Sequence, residues 1–370
     1  MNIHCTKKLF DFLKIKPEKV TVQTDPLFSW SANLILLNRR KTLVVVNNAT
    51  RIAFVLYGIT SKDINNFSKL IKEGIRAVFE SEYISPQIIE KYLEDCGSEI
   101  LLVSGSNRSD TAYCNKVCER VQRFTYIFEN GDMFEKKYLP WINYDLIGKE
   151  DYTYINTLLI NALTEKYGSP VQSARVAELE VTLDLMTKCK RMLIVPDNLN
   201  FYQMHNVLQN TFEWQDEHMH QFVTKINKRG VPLEIVRPDT MDDFDTFGPC
   251  NTINSTSVTV SEIFARYKMI GYIYDFGDGW EHSIKLKRFI DDFDEPYPHC
   301  TKAIGDAPME DSGGPYGFFE KMQILENPKH PEYEWISDWV KSSWWHHVDI
   351  DLINRRLTRV HHECVPVYYD

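Results

Sequence analysis

The chain of 370 residues lacks any apolar run long enough to cross a bilayer. Its longest runs, near Thr42 to Val46 and Ile52 to Tyr57, fall far short of the roughly 20 residues a membrane helix needs. Lysines are spread through Met1 to Val20 with no uninterrupted apolar core, which argues against a secretory leader. The expectation is a cytoplasmic protein with no membrane partner. No C-x-x-C pair occurs either. The eight cysteines (Cys5, Cys96, Cys114, Cys118, Cys189, Cys250, Cys300 and Cys364) are scattered, so reduced thiols are expected rather than a disulfide framework. Cys114 and Cys118 sit one helical turn apart, which fits two small apolar residues better than a metal site short of ligands. Also missing are a phosphate-binding P-loop, a dinucleotide fingerprint, a nucleophile elbow and an H-E-x-x-H motif. Internal repeats and low-complexity segments are absent too.

What is present is globular. A hydrophobic fraction of 43% separates the chain from disordered sequences, and its length suffices for two cores. Charge is divided unevenly. Residues 1–170 carry 22 Lys and Arg against 20 Asp and Glu, whereas residues 171–370 carry 20 against 32. The acidic half would repel a phosphate backbone, so nucleic acid is disfavoured there and cations, basic proteins or small ligands are favoured. Solubility alone is the commoner cause of such a surface. In the first half, Arg39, Arg40 and Lys41 form a weak basic patch for nucleic acid.

Periodicity predicts an α+β fold with two domains, 1–170 and 171–370, each an antiparallel sheet packed with helices. The segment Gly168 to Ser173 is the linker, being small, polar and helix-breaking. In the first half a helix over Lys7 to Ile15 precedes a meander of Ala32–Leu37, Thr42–Asn47 and Arg51–Tyr57. A helix capped by Thr60 or Ser61 follows, with Ile64, Phe67, Leu70, Ile71, Ile75 and Phe79 on one stripe. Further helices are expected after Ser85-Pro86, over Asp110 to Arg123 and over Tyr152 to Lys166, with a strand at Glu99 to Val103. In the second half Leu179, Val181, Leu183 and Leu185 alternate with Glu178, Glu180, Thr182 and Asp184, the mark of a half-buried strand. Asn198 is expected to cap a helix whose inner face carries Phe201, Met204, Leu208 and Phe212. Strands are read over Arg191–Val195, His218–Ile226 and Pro232–Val236, and Ser261 caps a short helix.

The densest chemistry lies in Tyr272 to His282, where a Gly-Asp-Gly turn joins two alternating runs and Asp275, Asp278, Glu281 and His282 crowd the bend. Two readings stand. Asp275 and Asp278 bond turn amides, Trp280 is core and Glu281 is solvated; or Asp275, Asp278, Trp280, Glu281 and His282 border a ligand pocket. His218 and His220, two apart on a strand, share a face and could bind a divalent metal with His282 or an aspartate; a hydrogen-bonded pair facing the helix is the alternative. The loop Glu310 to Gly317 could aim amides at an anion just before Tyr316, with Asp311 in reach; otherwise Asp311 or Ser312 is a helix cap. His361 to Cys364 could form a metal-binding tail, but reads rather as a mobile C-terminal decoration.

Several second-half segments, in order, resemble the plasmid-Ri third-open-reading-frame-like (insertion-element passenger TnpR-like) family. They are Arg191 to Pro196, Trp214 to Phe222, Tyr274 to His282, Glu310 to Gly317 and Asn327 to Glu332. The resemblance covers about residues 173 to 360 and implies an α+β domain on a strongly bent sheet, without an activity. Family members often carry Cys-Pro-Pro-Glu-Asp-Cys-Gly-Gly where this chain has Ala307 to Gly314, so both of those cysteines are replaced, by Ala307 and Ser312. Cys5 to Leu9 and Trp30 to Thr42 resemble a small bacterial family of unknown function.

The function expected from these features is a ligand- or protein-binding module linked to mobile elements, in defence or counter-defence, without catalysis. The alternative is a metal-dependent hydrolase or nuclease using His218, His220, Asp275 and His282.

Overall fold

The computed structural model describes all residues except 19–24, 106, 129–131, 149–150, 225–231, 241–250, 344 and 364–370. The chain divides into two compact units, Met1–Ser173 and Ala174–Asp370. Cys250 and Cys364 lie outside the described residues, and the other six cysteines are free and buried. No helix among the described residues is long and apolar enough to cross a membrane.

In the first unit β1 (Asn2–Cys5), β2 (Ser29–Leu37), β3 (Arg40–Asn47), β4 (Ala53–Leu56) and β5 (Leu101–Ser104) form one sheet in the order β4-β3-β2-β1-β5. The meander β2-β3-β4 is antiparallel. Its first turn, Asn38-Arg39, has both φ positive (46° and 62°), as a two-residue hairpin loop requires. The expectation of a wholly antiparallel sheet fails at β1, which runs parallel to both β2 and β5. The reason is the short helix α1 (Lys7–Leu13), which follows β1 as a crossover. A four-residue strand beside a lysine-rich stretch carries too little alternation to be read in advance.

Helix α2 (Phe67–Ser81) buries Phe67, Ile71, Ile75, Val78 and Phe79 at helical spacing and packs on β4. It begins later than expected. Thr60 instead bonds the Asp63 carboxylate (Oγ1–Oδ2 2.7 Å) at a 3-10 turn over Asp63–Asn66. Helices α3 (Pro86–Asp95), α4 (Arg108–Arg123), α5 (Leu139–Ile142) and α6 (Ile155–Tyr167), and the ladder β6 (Leu146–Ile147) with β7 (Thr153–Tyr154), complete the unit. Tyr92 ties its core together, receiving the Trp30 indole N–H (3.1 Å) and donating to the Leu27 carbonyl (2.6 Å).

The second unit is built on an eight-stranded sheet, β12-β11-β10-β13-β14-β8-β9-β15. Strands β8 (Ala174–Leu183) and β9 (Cys189–Pro196) pair antiparallel, and β8 buries Leu179, Val181 and Leu183 as the alternation predicts. Next come α7 (Phe201–Phe212), β10 (His220–Val223), β11 (Leu233–Val236), β12 (Asn251–Asn254) and α8 (Val260–Phe264). Strands β13 (Met269–Tyr274), β14 (Trp280–Phe293) and β15 (His299–Ile304) precede α9 (Gly314–Leu325), α10 (Tyr333–Ser342) and α11 (Ile350–Glu363). Here too the antiparallel rule has one exception, the parallel pair β11–β12. The 14-residue β14 shows two register breaks against β8, where a strand bends. Capping differs from expectation by two residues in each case. Asn200, not Asn198, starts α7, and Thr259, not Ser261, starts α8, because Gln203 and Glu262 stand three residues on and close reciprocal capping boxes.

In an exposed helix alanine outdoes glycine by about 1 kcal/mol. At Gly74 of α2 the sign should reverse, because an added Cβ would overlap the Phe54 ring and overpacking costs about 1–3 kcal/mol. Urea unfolding of Gly74→Ala is therefore expected to show a loss of stability; a gain would mean that α2 does not lie this close to β4.

Candidate functional site

The hairpin turn between β13 and β14 is built by its own aspartates. Asp275, at φ 55°, accepts the Gly277 and Asp278 amides on Oδ1 at 2.9 and 3.3 Å. Its Oδ2 lies 3.7 Å from His218 Nε2, which in turn is 3.2 Å from Asp311 Oδ1. Asp278 reaches across to the loop before α9 and accepts the Gly313 amide at 3.0 Å. The anion at that helix N-terminus is thus the chain's own carboxylate, and neither Asp311 nor Ser312 caps the helix. Gly314 completes the clamp: its φ is 69°, and a Cβ there would strike the Asp278 carbonyl oxygen.

The remaining hairpin residues are not drawn together. Trp280 is fully buried and Glu281 points to solvent from the opposite face of β14. Tyr316 is 70% exposed on α9. His282 is buried, its Nδ1 facing the Trp280 and Tyr272 carbonyls at 3.1 and 3.3 Å, so that nitrogen carries the proton. Phe212 and Trp214 meet the ring edge-on at 4.6 and 5.4 Å between centroids.

His218, His220 and His282 do not converge as a metal trio. Strand β10 begins at His220, so His218 stands outside it and the two-residue alternation does not govern it. His218 stays half-buried beside Asp275 and Asp311. His220 turns into the core, where its ring stacks on His205 at 3.4 Å and 6°. His205 and the carboxylate it bonds, Asp216, were not singled out from sequence. His205 sits four residues from Phe201 on the inner stripe of α7, and that signal was available.

Beside the turn, a cleft of about 400 Å³ is lined by Trp214, Trp339 and Trp345 together with Glu213, Glu217, Glu310 and Asp311. The indole N–H groups of Trp214 and Trp345 donate to the carbonyls of Pro308 (2.9 Å) and Ala307 (2.8 Å), which fixes both rings. Glu213 is balanced by His346 (2.8 Å) and Arg356 (3.6 Å). Glu310 accepts the Tyr274 hydroxyl and the Gln215 amide, and both of these donors are neutral. Burial holds the Glu310 carboxyl above its ordinary range, with the Tyr274 and Gln215 bonds opposing. Four acids around this region, Glu213, Asp216, Asp275 and Asp311, have φ between 55° and 63°, a left-handed conformation that costs a residue with a side chain about 1–2 kcal/mol.

Burial takes the His282 imidazole down to about 3, against about 6.5 in an unfolded chain. Between those values the unfolded chain binds the extra proton. The stability is therefore complete above about pH 6.5 and is lost as the pH falls toward 3. Asparagine at 282 removes the titrating group and keeps an N–H for the carbonyls. The urea-unfolding free energy of the native chain should fall from pH 6.5 to 5 more steeply than that of His282→Asn, by up to about 1.4 kcal/mol per pH unit. Equal slopes would show that His282 is not held neutral.

Residues 175–354 match the family described as plasmid pRiA4b ORF-3-like protein, and residues 2–157 match a domain of unknown function, DUF6933. A curated relative, uncharacterized protein y4hQ of Sinorhizobium fredii, is 32% identical over 171 residues, which span 46% of this chain and 83% of the relative. A crystal structure of a protein of unknown function, MM3350 from Methanosarcina mazei Go1, is similar at 26% identity with a TM-score of 0.41, covering 48% of this chain and 96% of that one. Through its second unit, the chain belongs to the plasmid pRiA4b ORF-3-like family.

Proposed function

We propose that the second unit is a non-catalytic binding module that seats a cationic group, the ammonium or guanidinium of a basic protein side chain or of a small amine, in the cleft beside the hairpin. The observation that carries this reading is the lining itself: three tryptophans with Glu217 and Glu310 around a cavity of about 400 Å³. Aromatic faces attract cations, and the attraction grows to about 2 kcal/mol or more when water is excluded; Trp339 already receives the chain's own Lys321 ammonium at 5.5 Å, while Trp214 is stacked on Phe212 and Tyr274. Glu310 adds a carboxylate whose two hydrogen-bond donors carry no charge, so an incoming cation would find it uncompensated by them. The acidic balance of residues 171–370 works in the same direction, drawing cations in and turning polyanions away. The family's plasmid-derived description supports a setting among mobile elements, where defence or counter-defence is the role we infer.

The hydrolase reading needs His218, His220, Asp275 and His282 around one ion. Their placement in three separate surroundings speaks against that set.

Tryptophan fluorescence of the full chain, titrated with tetramethylammonium and with an acetylated arginine amide, tests the proposal. A saturable change is expected for at least one cation and none for the neutral isostere tert-butanol. Glu310→Gln keeps the shape of the side chain but removes its charge, and should weaken binding about tenfold, or 1.4 kcal/mol. Equal response to the cations and the neutral probe, or unaltered affinity in Glu310→Gln, would overturn it.

A further inference from the structure

We propose that His205, Asp216 and His220 form a divalent-metal site, with zinc the ion their donor set fits best. One ligand atom from each of the three lies within 4.8 Å of the other two. His205 projects from the middle of α7, His220 from the first residue of β10, and Asp216 from the connection between them. A single short segment, 205 to 220, thus supplies all three. Two imidazole nitrogens and one carboxylate oxygen are a common donor set for a first-row divalent ion, and zinc accepts three protein ligands with a further position open.

The observation that asks for an ion is His220. Its side chain is 1% exposed, yet neither ring nitrogen has a hydrogen-bond partner. A buried donor or acceptor left unsatisfied costs about 1–3 kcal/mol, so native proteins rarely leave one, and here two sit on one ring. The unpartnered ring is stacked face to face on His205 at 3.4 Å, an arrangement in which neither imidazole serves the other as a partner. An ion bound between the two histidines and Asp216 would use one His220 nitrogen directly.

The surroundings of His205 are arranged as the neighbours of a metal ligand usually are. Its Nδ1 faces the Tyr272 hydroxyl at 2.9 Å and its Nε2 faces Asp216 Oδ1 at 2.8 Å. Tyr272 also receives the Gln209 amide (3.1 Å), and the same Gln209 accepts the Asp216 backbone N–H (2.9 Å). With an ion on Nε2, the ring proton moves to Nδ1 and is donated to the Tyr272 oxygen, the outer hydrogen bond that orients a ligating histidine. An ion on Nε2 and Oδ1 would widen their 2.8 Å separation by about half an ångström, since each bond is about 2.0–2.2 Å long, and the two parallel rings would tilt out of their stack so that the in-plane lone pairs of both meet it. Among the described residues, one arginine faces the site. Arg237 lies 3.6 Å from the other Asp216 oxygen, Oδ2, where it orients the carboxylate and leaves Oδ1 for the ion. The Asp216 side chain is 33% exposed and marks the side open to solvent.

Another grouping of this kind in the second unit, His218 with Asp275 and Asp311, carries the argument on one atom only: His218 Nε2 is buried without a hydrogen-bond partner, but two carboxylates already lie 3.2 and 3.7 Å from it. Asp275 already serves the turn amides, and the Asp311 side chain is 67% exposed. It supplies the control.

The test uses the full chain, stripped with a chelator and then reloaded. Elemental analysis should find about one equivalent of zinc after dialysis, and cobalt(II) in its place should give the visible absorption of a low-coordinate nitrogen and oxygen site. Zinc should raise the melting temperature of the native chain. His220→Leu fits an apolar surrounding and should fold, but lose at least about a hundredfold in zinc affinity together with the cobalt spectrum and the thermal shift. His205→Gln should do the same, whereas His218→Gln should leave all three readouts unchanged. A chain that takes up no zinc or cobalt, or one whose metal is lost in His218→Gln and kept in His220→Leu, would overturn the assignment. Neither result bears on cation binding in the tryptophan-lined cleft, whose probe and variant are different.

Discussion

The packing of α7 on the β10–β13–β14 face is the constraint on which the second unit depends. Phe201 meets Phe222 edge-on at 4.8 Å and Phe212 meets His282 at 4.6 Å, so the layer is apolar at both ends. Between them the same layer carries His205, His220, Tyr272 and Gln209, all buried. Placing that much polarity inside a core is tolerated only when each group finds a partner. Tyr272, Gln209, His205 and Asp216 form a closed set of hydrogen bonds, and His220 is the member left over. The position of α7, the entry to β10 and the path of the chain through Trp214 to Asp216 all follow from keeping that set together.

Much of the architecture was legible in the sequence, because burial on one face writes a period into the residues. The alternation of β8, the stripe of α2 and the tight turns of the β2–β3 and β13–β14 hairpins could be read directly. What could not be read was adjacency. Strand β1 is four residues long and gains its place from two parallel neighbours distant in sequence, and nothing local records a parallel partner. The capping residues were displaced by two positions, since the decisive partner of an N-cap is the glutamine or glutamate three residues on.

The site was legible in composition and not in arrangement. His218 and His220 were visible as a pair, but a shared face holds only inside a strand, and β10 begins between them. His205 hides on an apolar stripe, where a histidine looks like one more core residue. The aspartates of the turn illustrate the opposite case. Asp275 and Asp278 are prominent in sequence, and much of their bonding capacity goes to amides of the turn and of the following loop. The cleft draws its tryptophans from α10, the segment that follows α10 and the segment that follows α7, so no single stretch of sequence announces it.

The loop from Ala307 to Gly314 contains no cysteine. Here its closure rests on a hydroxyl: Ser312 Oγ donates to the Met309 carbonyl at 2.7 Å, and the Lys321 ammonium holds the Ser312 carbonyl at 2.9 Å. Neither contact can be oxidised or reduced. One wall of the cleft is therefore indifferent to the thiol chemistry of its surroundings.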